Sequence, residues 1–169
     1  MSDTSFTKWR EEPQRLSFIH SRSAGGPRRF ANQAQLTSDV YFSGAAGLVS
    51  TAEDYFQFAQ MLLDRGQGNG KRLLSPTTVD LMIATHVPDT LPGATRGGDF
   101  GLGVQVIRDP FAVGHRVSSG SFGWGGAYGT NFWIDPKEQL VGVLMIQMQG
   151  GSPDTRRDFQ NAVMQAVVE

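Results

Sequence analysis

The sequence predicts an α+β domain, an antiparallel sheet flanked by helices, on three observations. Segments with helix start signals come early, a meander of short β-rich segments follows, and an amphipathic segment closes the chain. The clearest start signal is Ser50-Thr51-Ala52-Glu53, a serine three residues ahead of a glutamate. The clearest sheet signal is Asp135-Pro136-Lys137-Glu138, a turn between two apolar runs, which makes the strands it joins antiparallel neighbours.

Residues 1–43 mix charge, Gly and Pro (Pro13, Gly25-Gly26-Pro27) without a sustained period, and are expected to wrap over other structure as an irregular segment. Residues 44–100 read as the helical part. From the Ser50 capping box a helix is expected over 51–65, with Tyr55, Phe58, Ala59 and Leu62 on one face and Gly66 at its end. Gly66, Gly68 and Gly70 then make a turn. They do not make a phosphate loop, because Arg65 stands where a Walker motif needs its first glycine and Arg72 where it needs Ser or Thr. Ser75-Pro76 supplies an N-cap and a proline at the first helical position for a second helix over 76–85, and Pro and Gly mark 87–99 as a long loop.

Residues 101–169 read as antiparallel strands plus a C-terminal helix. Gly101-Leu102-Gly103-Val104-Gln105-Val106-Ile107 alternates like a strand, and further strands are expected over 112–117, 128–134 and 140–147. Ser152-Pro153 caps a last helix reaching about residue 168, whose Phe159, Ala162, Val163, Ala166 and Val167 form the stripe that lies on the sheet. No internal repeat is visible.

The totals narrow the function classes. At 169 residues the chain has the length of one domain, which buries roughly 70% of the surface of its unfolded form. The formal net charge is −1, and the basic residues are scattered apart from Arg28-Arg29 and Arg156-Arg157, so no nucleic-acid partner is expected. The absence of cysteine removes disulfides, thiolate catalysis and Cys-ligated zinc, and His20, His86 and His115 lack the His-x-x-x-His spacing of a zinc site. No metal or cofactor is expected. The longest apolar run, Leu140 to Ile146, is interrupted by Gly142 and is too short to span a bilayer. The opening MSDTSFTKWREEPQ has no apolar region of the kind a signal peptide needs, so a soluble, cytoplasmic chain without a membrane partner is expected.

Serine chemistry is the first test once metals and nucleotides fall away. No Gly-x-Ser-x-Gly elbow is present, and a Ser-His-Asp triad stays open by counting alone. Ser5-Phe6-Thr7-Lys8 matches the Ser-x-x-Lys nucleophile signature. Its surroundings argue otherwise, because Trp9-Arg10-Glu11-Glu12-Pro13-Gln14-Arg15 cannot form a buried helix. A lysine acts as a base near neutral pH only when desolvated or placed beside another cation. Gly120 to Pro136 is more informative, since Gly123, Gly125, Gly126 and Gly129 crowd a predicted strand. Two readings stay open: a bulged or bent strand under a helix, or a backbone that must approach a ligand closely, as an oxyanion donor does.

Gly44-Ala-Ala-Gly-Leu-Val-Ser-Thr-Ala-Glu-Asp-Tyr55, with Phe58, Leu62-Leu63 and Lys71-Arg-Leu-Leu-Ser-Pro76, resembles the stretch that precedes the third motif of class C β-lactamase-like serine hydrolases. Trp124-Gly125-Gly126-Ala127-Tyr128-Gly129-Thr130 is similar to the Trp-Gly-Gly form of that motif, found in family VIII carboxylesterases, where it replaces Lys-Thr-Gly. The resemblance implies the β-lactamase/penicillin-binding-protein-like fold, with Trp124, Gly125 and Gly126 on the strand bordering the active site. It implies that the Ala127 N–H is one of two oxyanion donors and that Tyr128 lines the acyl pocket. Asp3-Thr4-Ser5-Phe6 resembles a segment that follows both upstream catalytic motifs of the family. By that alignment Ser5 is not the nucleophile, the chain is the C-terminal part of the fold, and the nucleophile precedes Met1.

The function these expectations imply is ester or amide hydrolysis through an acyl-serine intermediate, with little activity in the chain alone. The partners expected are a small-molecule ester or amide in the complete enzyme, and self-association or pairing with the missing N-terminal part. Two alternatives stand beside it: a non-catalytic binding or self-association module of the same fold, and a β-lactamase or D-Ala-D-Ala peptidase. Trp124 disfavours the last, because an indole offers no cation to a β-lactam carboxylate.

Overall fold

Thr51, one residue later than expected, starts the first long helix in a computed structural model of the chain, which describes residues 1–29, 40–152 and 154–168. Its hydroxyl accepts from the Asp54 N–H at 3.2 Å. The Ser50 hydroxyl instead meets Thr4 Oγ1 at 2.8 Å, and the Asp54 carboxylate takes the Asp3 N–H and the Thr4 hydroxyl, each at 2.8 Å. The capping signal was therefore out by one residue, because Ser50 and Asp54 are used to hold the N-terminal segment.

That segment carries two short 3-10 turns, Lys8–Arg10 and Pro13–Arg15, and is bolted down where Ser5 and Val49 exchange backbone hydrogen bonds of 2.9 and 3.0 Å. Two short strands, β1 (His20–Ser21) and β2 (Arg28–Arg29), follow. Residues 30–39 of the expected wrapping segment lie outside the described residues, as do Pro153 and Glu169. Helix α1 (Ala52–Leu63) ends where Gly66, at φ +91°, returns its N–H to the Met61 carbonyl at 2.8 Å. The glycine-rich turn is a hairpin, β3 (Gln67–Gly68) against β4 (Lys71–Arg72), closed by Asn69-Gly70, both with positive φ. Helix α2 (Pro76–Met82) has the expected Ser75 cap, with Ser75 Oγ accepting from Thr78 N at 3.0 Å.

The expected strand over 101–107 is a hairpin. Strand β5 (Gly98–Phe100) lies in what read as loop, and it turns through Gly103, at φ +81°, into β6 (Gln105–Ile107). The expected strand over 112–117 is corrected to a short helix, α3 (Pro110–Val113). Asp109 caps it by accepting from the Phe111 and Ala112 N–H groups at 3.1 Å, and Gly114 ends it in the left-handed region. An Asp-Pro start and a Gly stop outweigh β-propensity over so short a span. The expected strand over 128–134 is also redrawn, as β7 (Phe122–Gly125) and β8 (Asn131–Asp135) flanking a turn. Strand β9 (Leu140–Leu144) follows the predicted turn, in which Asp135 Oδ1 accepts from the Lys137 and Glu138 N–H groups at 3.2 Å. Strand β10 (Met148–Gln149) and helix α4 (Asp154–Gln165) complete the chain.

The main sheet runs β5-β6-β7-β8-β9 with every pair antiparallel. Strand β10 pairs in parallel with β1, which pairs with β2 in a small separate sheet. Alternation along β7 and β8 sends Phe122, Phe132 and Ile134 to one face, where they join Ala59, Met61 and Leu62 of α1 in the larger core. Trp133 and Ile107 go to the other face, against Val163 and Met164 of α4. The predicted stripe of α4 is thus used in part, through Val163 and the Phe159 ring on Trp133, while Val167 is exposed. Burying side chains of this size contributes about 1.5–3 kcal/mol each, which makes the two helix contacts the main support of the sheet.

Candidate active site

Strand β7 is the central strand of the main sheet and carries Trp124 and Gly125 at its end. Gly126, Ala127 and Tyr128 follow in a tight turn. Gly126 donates to the Thr130 carbonyl at 2.8 Å, and Gly129, at φ +96°, donates to the Gly126 carbonyl at 3.1 Å. The Tyr128 carbonyl accepts from the Met148 N–H at 2.8 Å, which ties the turn to β10. The five residues singled out in the sequence therefore sit together, two on the strand and three on its turn.

Within this turn the Ala127 N–H makes no hydrogen bond to any described group, and Ala127 is exposed. An amide held at a sheet end with its N–H unbonded can donate to an oxygen that gains negative charge. Trp124 is half exposed, and its ring meets Phe100 edge-on at 4.8 Å between centroids. Gly125 and Gly126 are both crowded by the chain itself: a Cβ at 125 would fall on the Arg156 guanidinium, and one at 126 on the Thr130 hydroxyl. The glycines thus serve the bend and the backing of the strand.

Behind this strand, between α4 and the sheet, lies a cleft of about 230 Å³ walled in part by His115, Ser121, Gly123, Trp133, Arg156 and Gln160. Ser121 Oγ and Trp133 Nε1 are buried there without a hydrogen-bond partner among the described residues. His115 Nδ1 is bound to Gln160 Oε1, and burial pushes the imidazole below its ordinary pKa, with Gln160 opposing and Arg157 adding to the drop. Trp124 and Gly125 also touch this cleft, whereas Ala127 and Tyr128 are not among its walls. Among the described residues no serine hydroxyl bonds a histidine ring, so the structure assembles no Ser-His pair; His86 Nε2 meets the Leu81 carbonyl at 2.9 Å.

Ser5 stands apart from this site. Its hydroxyl accepts from the Thr7 and Lys8 N–H groups at 3.0 and 2.9 Å, a local turn, while Lys8 Nζ is bound to the Ser2 carbonyl at 2.7 Å and to Asp3 Oδ1 at 3.1 Å. Arg15, and after it Lys8, hold the Asp3 carboxyl at about 2. A lysine paired with a carboxylate is no base for a neighbouring hydroxyl.

Arg156 is the residue that sequence reasoning passed over. It lies in the first turn of α4 and its Nη2 donates to the Gly126 carbonyl. The signal was available, because a cation in the first turn of a helix opposes the helix dipole and calls for a reason.

A beta-lactamase family model matches residues 1–166. A protein of Mycobacterium tuberculosis, Rv1367c, is 37% identical over 141 residues, covering 76% of this chain and 34% of that protein. The esterase EstB of Burkholderia gladioli is 28% identical over 123 residues, covering 72% of this chain and 30% of that protein. Among solved structures, EstCE1, a hydrolase with promiscuous acyltransferase activity, superposes with a TM-score of 0.80 at 23% identity, covering 96% of this chain and 46% of its own. The simvastatin synthase LovD of Aspergillus terreus superposes with a TM-score of 0.78 at 23% identity, covering 99% and 47%. These last two establish the fold. The chain spans about a third of the length of the curated relatives it matches and less than half of the solved ones.

Proposed function

The chain belongs to the beta-lactamase family, and from that membership we propose that it supplies the oxyanion-binding half of a serine hydrolase acting on esters, with the nucleophile carried outside these 169 residues. The observation that carries the reading is the unbonded Ala127 N–H at the end of the central strand β7. The serine of a Ser-x-x-Lys pair attacks the ester carbonyl, and the lysine takes the hydroxyl proton and returns it to the departing alcohol. The carbonyl oxygen, now an oxyanion, accepts from Ala127 N–H and from the N–H of the serine itself. Water then releases the acid from the acyl-serine and restores the hydroxyl.

Trp124, half exposed and three residues before that amide in the chain, supports an ester over a β-lactam, since it offers no cation to a substrate carboxylate. Tyr128 would form part of the acyl wall. The likeness to the esterase EstB supports the same substrate class. The rest of the protein, or a second copy, would pair with β9, whose outer edge has no strand partner among the described residues.

The test replaces the amide at residue 127 of the full-length protein by an ester, which removes the N–H with little change of shape. Hydrolysis of p-nitrophenyl butyrate should fall about 10²–10³-fold in kcat, the usual cost of one oxyanion donor. Unchanged kcat, or fluorophosphonate labelling of Ser5, defeats the proposal; nitrocefin turnover in place of ester hydrolysis would transfer it to the β-lactamase class.

A further inference from the structure

The Gly126–Ala127 peptide has two ends, and each is addressed by something different. Its N–H makes no hydrogen bond to any described group, while its carbonyl accepts from the Gly129 N–H and from Arg156 Nη2. No peptide bond among the described residues is cis, so the two groups of this peptide point in opposite directions and the guanidinium sits behind the amide rather than in front of it.

Three features mark this contact as built for a purpose. Gly125 leaves bare the space the guanidinium crosses, since a Cβ there would fall on Arg156 Nη1 and Cζ. Arg156 forms no ion pair with a carboxylate among the described residues, whereas Arg157 beside it pairs with Asp154 at 2.7 Å and Asp158 at 3.7 Å. The cation is also placed against the dipole of α4, in its first turn, where a neutral or acidic residue would be favoured. A residue that breaks a local rule and fills a gap left by a glycine is being held for what it touches.

What it touches is the peptide that presents the Ala127 N–H. A charge-assisted hydrogen bond to the carbonyl fixes the plane of that peptide and draws electron density toward the oxygen, so the N–H becomes more strongly polarised. We infer that Arg156 is a positioning residue for the oxyanion donor: anchored on α4, it orients and polarises the Gly126–Ala127 peptide. The inference rests on the proposed role of Ala127, and adds the residue that would sustain it.

The experiment uses the full-length protein labelled with ¹⁵N-alanine, in the wild type and in Arg156→Ala, Arg156→Gln and Arg157→Ala. The Ala127 amide resonance should move in Arg156→Ala and, to a smaller degree, in Arg156→Gln, which keeps the Cβ–Cγ stem and a neutral amide donor at shorter reach. It should stay in place in Arg157→Ala. In parallel, kcat for p-nitrophenyl butyrate should fall about 10–100-fold in Arg156→Ala, part of the loss seen on removing the donor outright, with KM nearly unchanged. Should Arg156→Ala not fold, Arg156→Gln carries both readouts. Either an unmoved Ala127 resonance or an unchanged kcat overturns the inference. Loss of the oxyanion reading is a separate result, seen when the amide-to-ester replacement at 127 keeps full kcat while the Arg156 variants still shift the resonance.

Discussion

The indole of Trp133 occupies the space where Gly142, its directly opposed partner on β9, would carry a Cβ. The glycine that interrupts the apolar run 140–146 is thus part of the core: it admits the largest side chain on the α4 face of the sheet. Gly142→Ala should lower unfolding free energy by about 1–3 kcal/mol, the usual cost of overpacking. Urea denaturation checks it, and the penalty should shrink when Trp133 is first changed to Leu. An additive pair would show that the two side chains do not compete for one space.

Asp135 is fully buried and among the described residues serves backbone groups alone, accepting from Ser118 N at 2.7 Å and from Lys137 and Glu138 N at 3.2 Å. Asp135→Ala strands these donors and should cost about 3 kcal/mol. Asp135→Asn retains one acceptor oxygen and should recover part of that loss in the same denaturation experiment.

Ser121 presents the opposite case, a buried hydroxyl at 1% exposure with no partner among the described residues. Ser121→Ala removes an unsatisfied polar atom while keeping the Cβ, and should raise stability by up to about 1 kcal/mol. A thermal melt in which the variant is less stable than the wild type would mean that the hydroxyl does find a partner.

Acid should weaken the fold in two steps. His115 is held below its ordinary 6.5 by burial, with Gln160 opposing and Arg157 assisting. Asp99 is held below 3.8, chiefly by the Thr85 hydroxyl, against the cost of burial and with help from Arg108 and the Asp89 N–H. In both cases the unfolded chain takes the proton first. Stability is therefore whole above the ordinary pKa and is lost as pH falls through the folded one. Chemical denaturation from about pH 8 to 3 should show a first decline beginning near 6.5, absent in His115→Gln, and a second beginning near 3.8. A single decline in the wild type that His115→Gln leaves unaltered would contradict the assignment.

Much of the candidate site was readable in advance. The grouping of Trp124, Gly125, Gly126, Ala127 and Tyr128 at one strand end follows from contiguity, and the polar surroundings read for Lys8 are met in its contact with Asp3. Arg156 was not readable as a neighbour of Gly126, because a contact spanning 30 residues depends on how α4 crosses the sheet. The hairpin at Gly103 and the helix at Pro110 were missed for a related reason: over three or four residues, turn and cap chemistry outweigh alternation.

Strong local signals are enough to specify the helices after Thr51 and Ser75, the Asp135 turn, and the closing helix with its apolar stripe. Local hydrogen bonds and side-chain period suffice for those, since every partner is within a few residues. Long-range packing, by contrast, sets which glycine yields space to which side chain, which buried serine lacks a partner among the described residues, and which cation backs the Ala127 peptide. Those outcomes depend on packing between segments distant in the chain, where close contact leaves room for one arrangement and the order of residues alone does not say which.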